Sequence, residues 1–258
     1  MDRRRLGWRA AYEVLATQVR RPEWAFMNYG YAPADGEPPL ALDPADEPDR
    51  LSIGLYERTL AGADLTGRDV LEVGSGRGGG AQWVARRHRP RRTVGLDFSA
   101  AAVALSARHR RAPGLDFVRG DAEAMPFPDA SFDVVLNVES SHCYGSVPAF
   151  MAEVRRVLRP GGTFCWADFR PADAVGPTLD ALRASGLSLT AHDDVTPQVV
   201  AALRADDARK ARLLATWLPR VAHPLMRRFA AMEGSRGFEA FATGRTRYLV
   251  ARLDAPPA

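Results

Sequence analysis

The stretch Asp69–Gly80, DVLEVGSGRGGG, constrains the fold of this chain more than any other. Val70, Leu71 and Val73 form a short apolar run of the kind a parallel sheet covers on both faces. The chain then breaks into a glycine loop, and Ala81–His88 (AQWVARRH) continues with helical character. A strand, a glycine turn and a helix in that order cradle a small polar ligand. The loop backbone can approach closely, and the helix N-terminal N–H groups point at the ligand.

Gly74, Gly76 and Gly79 satisfy GxGxxG, a spacing that alone also describes a dinucleotide fold. Glu72 argues against NAD, because it places an acid beside the position a pyrophosphate would take, whereas a cationic ligand would welcome it. With that acid the stretch resembles motif I of the class I S-adenosylmethionine-dependent methyltransferases, whose loop holds the methionine end of the cofactor. The alternative is a glycine-rich turn with no ligand.

At 258 residues the chain is long enough for one full α/β domain with an appended cap. A hydrophobic content of 46% with 26% charged residues is ordinary for a globular protein. No apolar run approaches the roughly 18 residues a membrane span needs, and the start MDRRRLGWRAAYEV has no apolar core before a cleavage site, so a cytoplasmic protein is expected. The formal charge is +4, but Lys210 is the only lysine among 35 basic residues and the arginines are scattered. That pattern, without interleaved aromatics, gives no reason to expect a nucleic-acid partner. Cys143 and Cys165 lack metal-ligand spacing and read as reduced packing residues; no metal is expected.

Residues 1–20 read as an amphipathic helix with Leu6, Ala10, Val14 and Leu15 on one side. Trp24–Ala32 (WAFMNYGYA) is either core packing or a lid over a ligand, with Tyr29 the best single candidate for the lid. Residues 32–50 are rich in Pro, Asp and Ala and read as a loop, followed by a helix over Leu51–Ala63. Thr93–Phe98 is a second strand ending in Asp97 and Phe98, and Ser99 can cap the next helix. An acid at that strand end suits a ribose, whose two hydroxyls a carboxylate can accept; Asp97 as a helix-capping acid is the alternative. Leu115–Phe127 supplies a third strand and then Asp121 and Ala122. Ser131–Tyr144 is a fourth strand with its loop, Val147–Leu158 a helix closed by RPGG, and Thr163–Arg170 a fifth strand. Leu187–Val195 is a sixth strand. Pro197–Met232 is helical with Trp217, Leu218, Leu225, Met226 and Phe229 on its apolar side, and Arg245–Leu253 returns as an antiparallel seventh strand at the sheet edge.

These elements predict an α/β fold with a Rossmann-like, seven-stranded, mostly parallel sheet, helices on both faces and a helical cap between strands six and seven. The organisation expected is N-terminal helices and lid over 1–64, a cofactor-binding core over 65–195, a cap over 196–240, and a final edge strand with tail over 241–258. Open α/β sheets bind ligands at the carboxyl ends of their strands. Glu72, Asp97, Asp121 and Asn137 lie there, and so do His142 after strand four and Asp168 at the end of strand five. Neighbouring parallel strands would bring the last two together as a His–Asp dyad. A histidine with a pKa near ~6.5 can take a proton from an alcohol, and a carboxylate behind it fixes the tautomer. His88, His109, His192 and His223 have no such company.

The segments LTGRDVLEVGSGRGGGA, NVESSHCY and WADFR are similar to those of the phthiotriolone and phenolphthiotriolone dimycocerosate methyltransferases, which O-methylate a lipid polyketide chain. The His142 and Asp168 positions also resemble those of bacterial sugar O-methyltransferases acting on natural products, where the corresponding pair is the base and its partner. The resemblance implies S-adenosylmethionine as cofactor and S-adenosylhomocysteine as product. Tyr29, Glu72, Gly74, Ser75, Gly76, Asp97, Phe98, Asp121, Ala122 and Asn137 would bind it, with Asp121 accepting from the adenine amino group. It implies O-methylation of a small-molecule hydroxyl on a polyketide, glycoside or similar compound. Carbon or nitrogen methylation, or a cyclase that keeps the fold, are the alternatives. The acceptor and the oligomeric state, with a homodimer compatible, stay open.

Overall fold

The computed structural model describes residues 21–257; the helix expected over residues 1–20 lies outside them. After an irregular N-terminal segment, helix α1 spans Arg50–Leu60, strand β1 Asp69–Val73, α2 Gly79–Arg87, β2 Arg92–Asp97, α3 Ala100–His109 and β3 Leu115–Arg119. Strand β4 follows over Phe132–Val138, then α4 over Val147–Val157, β5 over Leu158–Pro171, α5 over Val175–Arg183 and β6 over Ser188–Asp194. Helices α6 (Thr196–Trp217), α7 (His223–Phe229) and α8 (Arg236–Ala242) precede the last strand, β7, over Thr246–Asp254.

Local chemistry sets several of these boundaries. The Ser99 hydroxyl accepts from the Ala102 N–H and starts α3, and Ser146 does the same for Ala149 at α4, where Pro148 occupies the first turn. Every residue of β1 is buried, as a strand covered on both faces must be.

The seven strands form one sheet in the order β3-β2-β1-β4-β5-β7-β6. β1 pairs in parallel with both β2 and β4, so the strand order reverses direction at β1, and the carboxyl edge there opens a crevice suited to a ligand. β7 runs antiparallel to both β5 and β6. The expectation of a last strand at the sheet edge is corrected: β7 lies inside the sheet and β6 is the edge. Tyr248–Ala251 are buried on both faces, whereas β6 (SLTAHDD) is polar and largely exposed. A polar strand is the one that can face water at an edge.

Apolar clusters cover both faces. One joins Ile53, Leu55, Trp83 and Val84 to Phe238 and Phe241 of the cap; the other joins Leu71, Phe150, Val154, Phe164 and Trp166. The cap comprises three helices rather than one helical run. Trp217, Leu218, Met226 and Phe229 face inward along a cleft, but Leu225 is 70% exposed, contrary to its expected place on the apolar side.

Candidate active site

At the carboxyl edge of β1, β2 and β4 lies an open cleft of about 1190 Å³, the solvent at its mouth included. Its floor is the glycine loop. Gly74 has φ +77°, and a Cβ there would stand 2.2 Å from Ser140 Oγ, so only glycine lets the two loops meet. Gly76 has φ +52° with Met27 Cε lying 2.6 Å from where its Cβ would be. Of the residues predicted from the sequence, Gly74, Ser75, Gly76, Asp97, Phe98, Asp121 and Ala122 line this cleft. The Asp97 carboxylate accepts from the Gly76 N–H at 2.7 Å and the Ser99 N–H at 2.8 Å, which braces the loop against the end of β2. Asp121 Oδ1 accepts from the Glu123 N–H at 3.1 Å, turning the chain after β3.

Three of the residues predicted to bind the cofactor do not line this cleft. Glu72 sits one layer behind the loop, with Tyr56 donating to Oε1 at 2.6 Å and Oε2 without a hydrogen-bond partner among the described residues. Burial pushes its pKa up to about 8, against the hydrogen bonds from Tyr56 and from the Ala81 backbone. Asn137 is fully buried. Its Nδ2 lies 2.9 Å from the Val73 carbonyl and 2.7 Å from Ser140 Oγ, so it ties the end of β1 to the loop after β4. Tyr29 lies on the far side of the N-terminal segment, stacked on Phe169 at 5.5 Å and edge-on to Phe241 at 5.5 Å.

That segment forms a strap across the loop. The Arg77 guanidinium donates to the carbonyls of Trp24 at 2.6 Å and Arg21 at 3.0 Å and lies 4.9 Å above the Trp24 ring. Arg110 donates to the Pro22 carbonyl, and the Gly79 N–H to that of Ala25 at 3.2 Å. At the other end the Tyr29 N–H donates to Glu139 Oε1 at 2.7 Å, and the Tyr248 hydroxyl donates to the same atom at 2.9 Å. Glu139 lines the cleft from a left-handed backbone (φ 46°), and burial pushes its pKa up to about 8.

His142 and Asp168 meet as the strand order requires, since β4 and β5 pair in parallel. The imidazole Nδ1 lies 2.7 Å from Asp168 Oδ1, and Asp168 Oδ2 accepts from the His142 N–H at 2.8 Å and the Ser141 hydroxyl at 2.6 Å. The Arg170 guanidinium stands 3.1 Å from Asp168 Oδ2, and the Phe169 N–H donates to Oδ1 at 2.8 Å. Burial would raise the Asp168 pKa, but the charges of His142 and Arg170 hold it well below the usual carboxylate range. Burial would likewise lower that of His142, and the Asp168 charge and hydrogen bond outweigh it, holding the imidazole well above its ordinary value. With Nδ1–H directed to Asp168, the ring presents Nε2 away from the carboxylate. His142 itself lines neither cleft. It stands between Cys143, which fronts the first, and Phe169, whose ring is 4.2 Å from its own.

A second cleft of about 780 Å³ opens between the strap and the cap. Trp24, Tyr29, Leu213, Leu214, Trp217 and Phe229 make it apolar, and Asp49, Asp206, Arg209 and Lys210 stand at one side as a charge-balanced group, with Arg209 Nε donating to Asp206 at 2.5 Å. Phe26, Met27 and Asn28 line both clefts, so the strap is their shared wall.

Sequence reasoning passed over Glu139, Met27, Ser140 and Tyr144, all on the first cleft. For Glu139 the signal was present: an acid in the loop after strand four, at the edge that carries Asp97 and His142. Cys143 reads as a packing residue but faces the cleft, whereas Cys165 is buried as expected. Among the described residues no group of three or more His, Cys, Asp or Glu side chains is arranged to hold a metal ion, and no helix is long and apolar enough to cross a membrane.

Comparison with known proteins fits this arrangement. A family described as "Methyltransferase domain" matches residues 71–166. The phthiotriol/phenolphthiotriol dimycocerosates methyltransferase of Mycobacterium tuberculosis is 40% identical over 231 residues, covering 89% of this chain and 84% of that one. The fatty-acid O-methyltransferase of Mycolicibacterium smegmatis is 38% identical over 242 residues, covering 92% and 85%. In fold, the chain is similar to geranyl diphosphate C-methyltransferase from Streptomyces coelicolor, solved with S-adenosyl-L-homocysteine, with TM-score 0.65 and 17% identity over 94% of this chain and 97% of that one. The chain belongs to the class I S-adenosylmethionine-dependent methyltransferases.

Proposed function

We propose that the protein methylates a hydroxyl oxygen of a small specialised metabolite with an apolar chain, a polyketide, glycoside or similar compound, with His142 as general base. The observation that carries this reading is the Nδ1–Asp168 contact of 2.7 Å at the same sheet edge as the glycine loop.

The residues of the first cleft fit S-adenosylmethionine. The loop residues Gly74–Arg77 line the cleft, Asp97 and Asp121 offer acceptors on it, and the buried acid Glu72 behind the loop suits a cationic ligand. In this reading Gly74, Ser75 and Gly76 hold the methionine end, Asp97 with Phe98 the ribose, and Asp121 with Ala122 the adenine. Glu72 and Asn137 act from behind by fixing the loop, and Tyr29 fixes the strap. When bound, S-adenosylmethionine supplies an electrophilic methyl group on a sulfonium.

The protein's own contribution is orientation and proton removal. Asp168 fixes the imidazole tautomer and stabilises the imidazolium that forms as the acceptor oxygen loses its proton. Arg170 shares the carboxylate, which tempers how strongly Asp168 holds the proton on His142. The apolar second cleft accommodates the acceptor chain, with Tyr29 on its wall stacked on the Phe169 ring that packs against His142. The relatives named for lipid and fatty-acid methylation favour such an acceptor. A cytoplasmic location and a reaction without metal accord with this chemistry.

The test is incubation of the purified protein with S-adenosylmethionine and long-chain hydroxylated acceptors, following S-adenosylhomocysteine and the methylated product together. Equal amounts of both, lost in His142→Ala, are expected. Product formation without S-adenosylhomocysteine would point to a cyclase or rearrangement and overturn the reading.

A further inference from the structure

Among the described residues only three large hydrophobic side chains are exposed: Phe98 on the first cleft, and Val221 and Leu225 on the cap. Scattered single apolar residues on a surface need no explanation. Val221 (87% exposed) and Leu225 (70%) are not scattered: they stand four positions apart, about one helical turn, on the short turn Arg220–Ala222 and on α7. The same segment supplies Leu218, Met226 and Phe229 to the wall of the second cleft, so the two exposed side chains stand on the back of that wall.

The segment that carries them has charge of one sign. Between Asp207 and Glu233 the chain carries Arg209, Lys210, Arg212, Arg220, Arg227 and Arg228 and no acid. Arg209 and Lys210 face inward to Asp206, and Arg227 donates to the Glu233 carbonyl. Arg212, Arg220 and Arg228 are exposed. With Arg220 next to Val221 and Arg228 one turn from Leu225 on α7, the apolar tips and the exposed arginines make a face that inserts shallowly among acyl chains while its cations meet anionic headgroups. Exposed arginines alone would suit any polyanion, but protruding valine and leucine beside an apolar cleft favour a lipid layer over an acidic protein.

We propose that the cap face formed by Val221, Leu225, Arg220 and Arg228 docks the enzyme reversibly on an anionic lipid surface. This placement brings the second cleft to the layer from which an apolar acceptor would be drawn. The last step rests on the reading of that cleft as the acceptor site; the docking itself does not. It differs from a membrane span, which no described helix can make.

The experiment is sedimentation of the full chain with vesicles of phosphatidylcholine alone and of phosphatidylcholine with phosphatidylglycerol, over a range of salt. Binding to the anionic vesicles only, weakening as salt rises, is expected. Val221→Asp/Leu225→Asp should weaken it roughly tenfold or more, and Arg220→Glu/Arg228→Glu similarly, with S-adenosylhomocysteine affinity by calorimetry unchanged in both variants. No binding to anionic vesicles, or binding that both variants retain in full, would overturn the proposal. So would capture of an acidic carrier protein in place of vesicles. Vesicle binding in an enzyme that fails to methylate hydroxylated acceptors would sink the proposed acceptor class and leave docking intact, so the two readings fail separately.

Discussion

The Tyr29 N–H and Glu139 Oε1 are 2.7 Å apart, although 110 residues separate them in the chain, and this bond fastens one end of the strap to the loop that also carries His142. Arg77 fastens the other end through the carbonyls of Arg21 and Trp24. The strap is therefore held at both ends beside a cleft whose wall it helps to form.

Glu139→Ala leaves the Tyr29 N–H and the Tyr248 hydroxyl without their acceptor, a loss of about 1–3 kcal/mol for buried donors. S-adenosylhomocysteine affinity should fall roughly tenfold. Glu139→Gln keeps an acceptor oxygen for both donors and should stay within about threefold of the wild type. Calorimetric titration separates the two; a glutamine variant as weak as the alanine variant would show that the carboxylate's charge, not the latch, matters.

His142→Ala should lower kcat by ~10²–10⁴ on a hydroxyl acceptor while leaving cofactor affinity within a few-fold. Steady-state kinetics beside calorimetry checks both halves. A loss confined to KM would remove His142 from proton transfer.

Asp168 holds the imidazole above its ordinary 6.5, so in the free enzyme His142 must shed a proton before it can act as a base. kcat/KM should then rise with pH, with its midpoint above 6.5. In Asp168→Asn that midpoint should move down, with a lower plateau because the tautomer is no longer fixed. The same shift has a stability consequence of defined sign. Between the unfolded and folded pKa values the native state binds more protons, so the stabilisation from the His142 pair is fully present below about 6.5 and is lost as pH rises through the folded value. Thermal melts of His142→Gln against the wild type should differ most at low pH and converge on the alkaline side.

Gly74→Ala forces an L-residue to φ +77° and drives its Cβ into Ser140. The strain and the displaced loop should cost about 1–3 kcal/mol and abolish measurable cofactor binding. Thermal unfolding with S-adenosylhomocysteine titration would show it; an alanine variant with wild-type affinity would mean that the loop does not hold the cofactor.

Much of the frame is legible in local patterns. Asp69–Gly80 declares strand, loop and helix within twelve residues, and the ends of β2 and β3 place Asp97 and Asp121 because strands in parallel share one carboxyl edge. The His142–Asp168 pairing follows from the same rule. What is not legible depends on partners far away in the chain. Glu139 is one more acid in a loop until Tyr29 and Tyr248 close on it. The place of β7 inside the sheet follows from its competition with a polar β6, which local propensity does not report. Leu225 fits an apolar helix side by spacing alone, and only the break of the cap into three helices turns it outward.

The most direct test of O-methylation with His142 as base is the fate of a labelled methyl group. The protein is incubated with S-adenosylmethionine carrying a ¹³C methyl and a long-chain hydroxylated acceptor, and the product is read by carbon NMR for the wild type and His142→Ala. A methoxy signal that collapses in the variant is the predicted result. Label on carbon or nitrogen, or a methoxy signal of full intensity in His142→Ala, would contradict it.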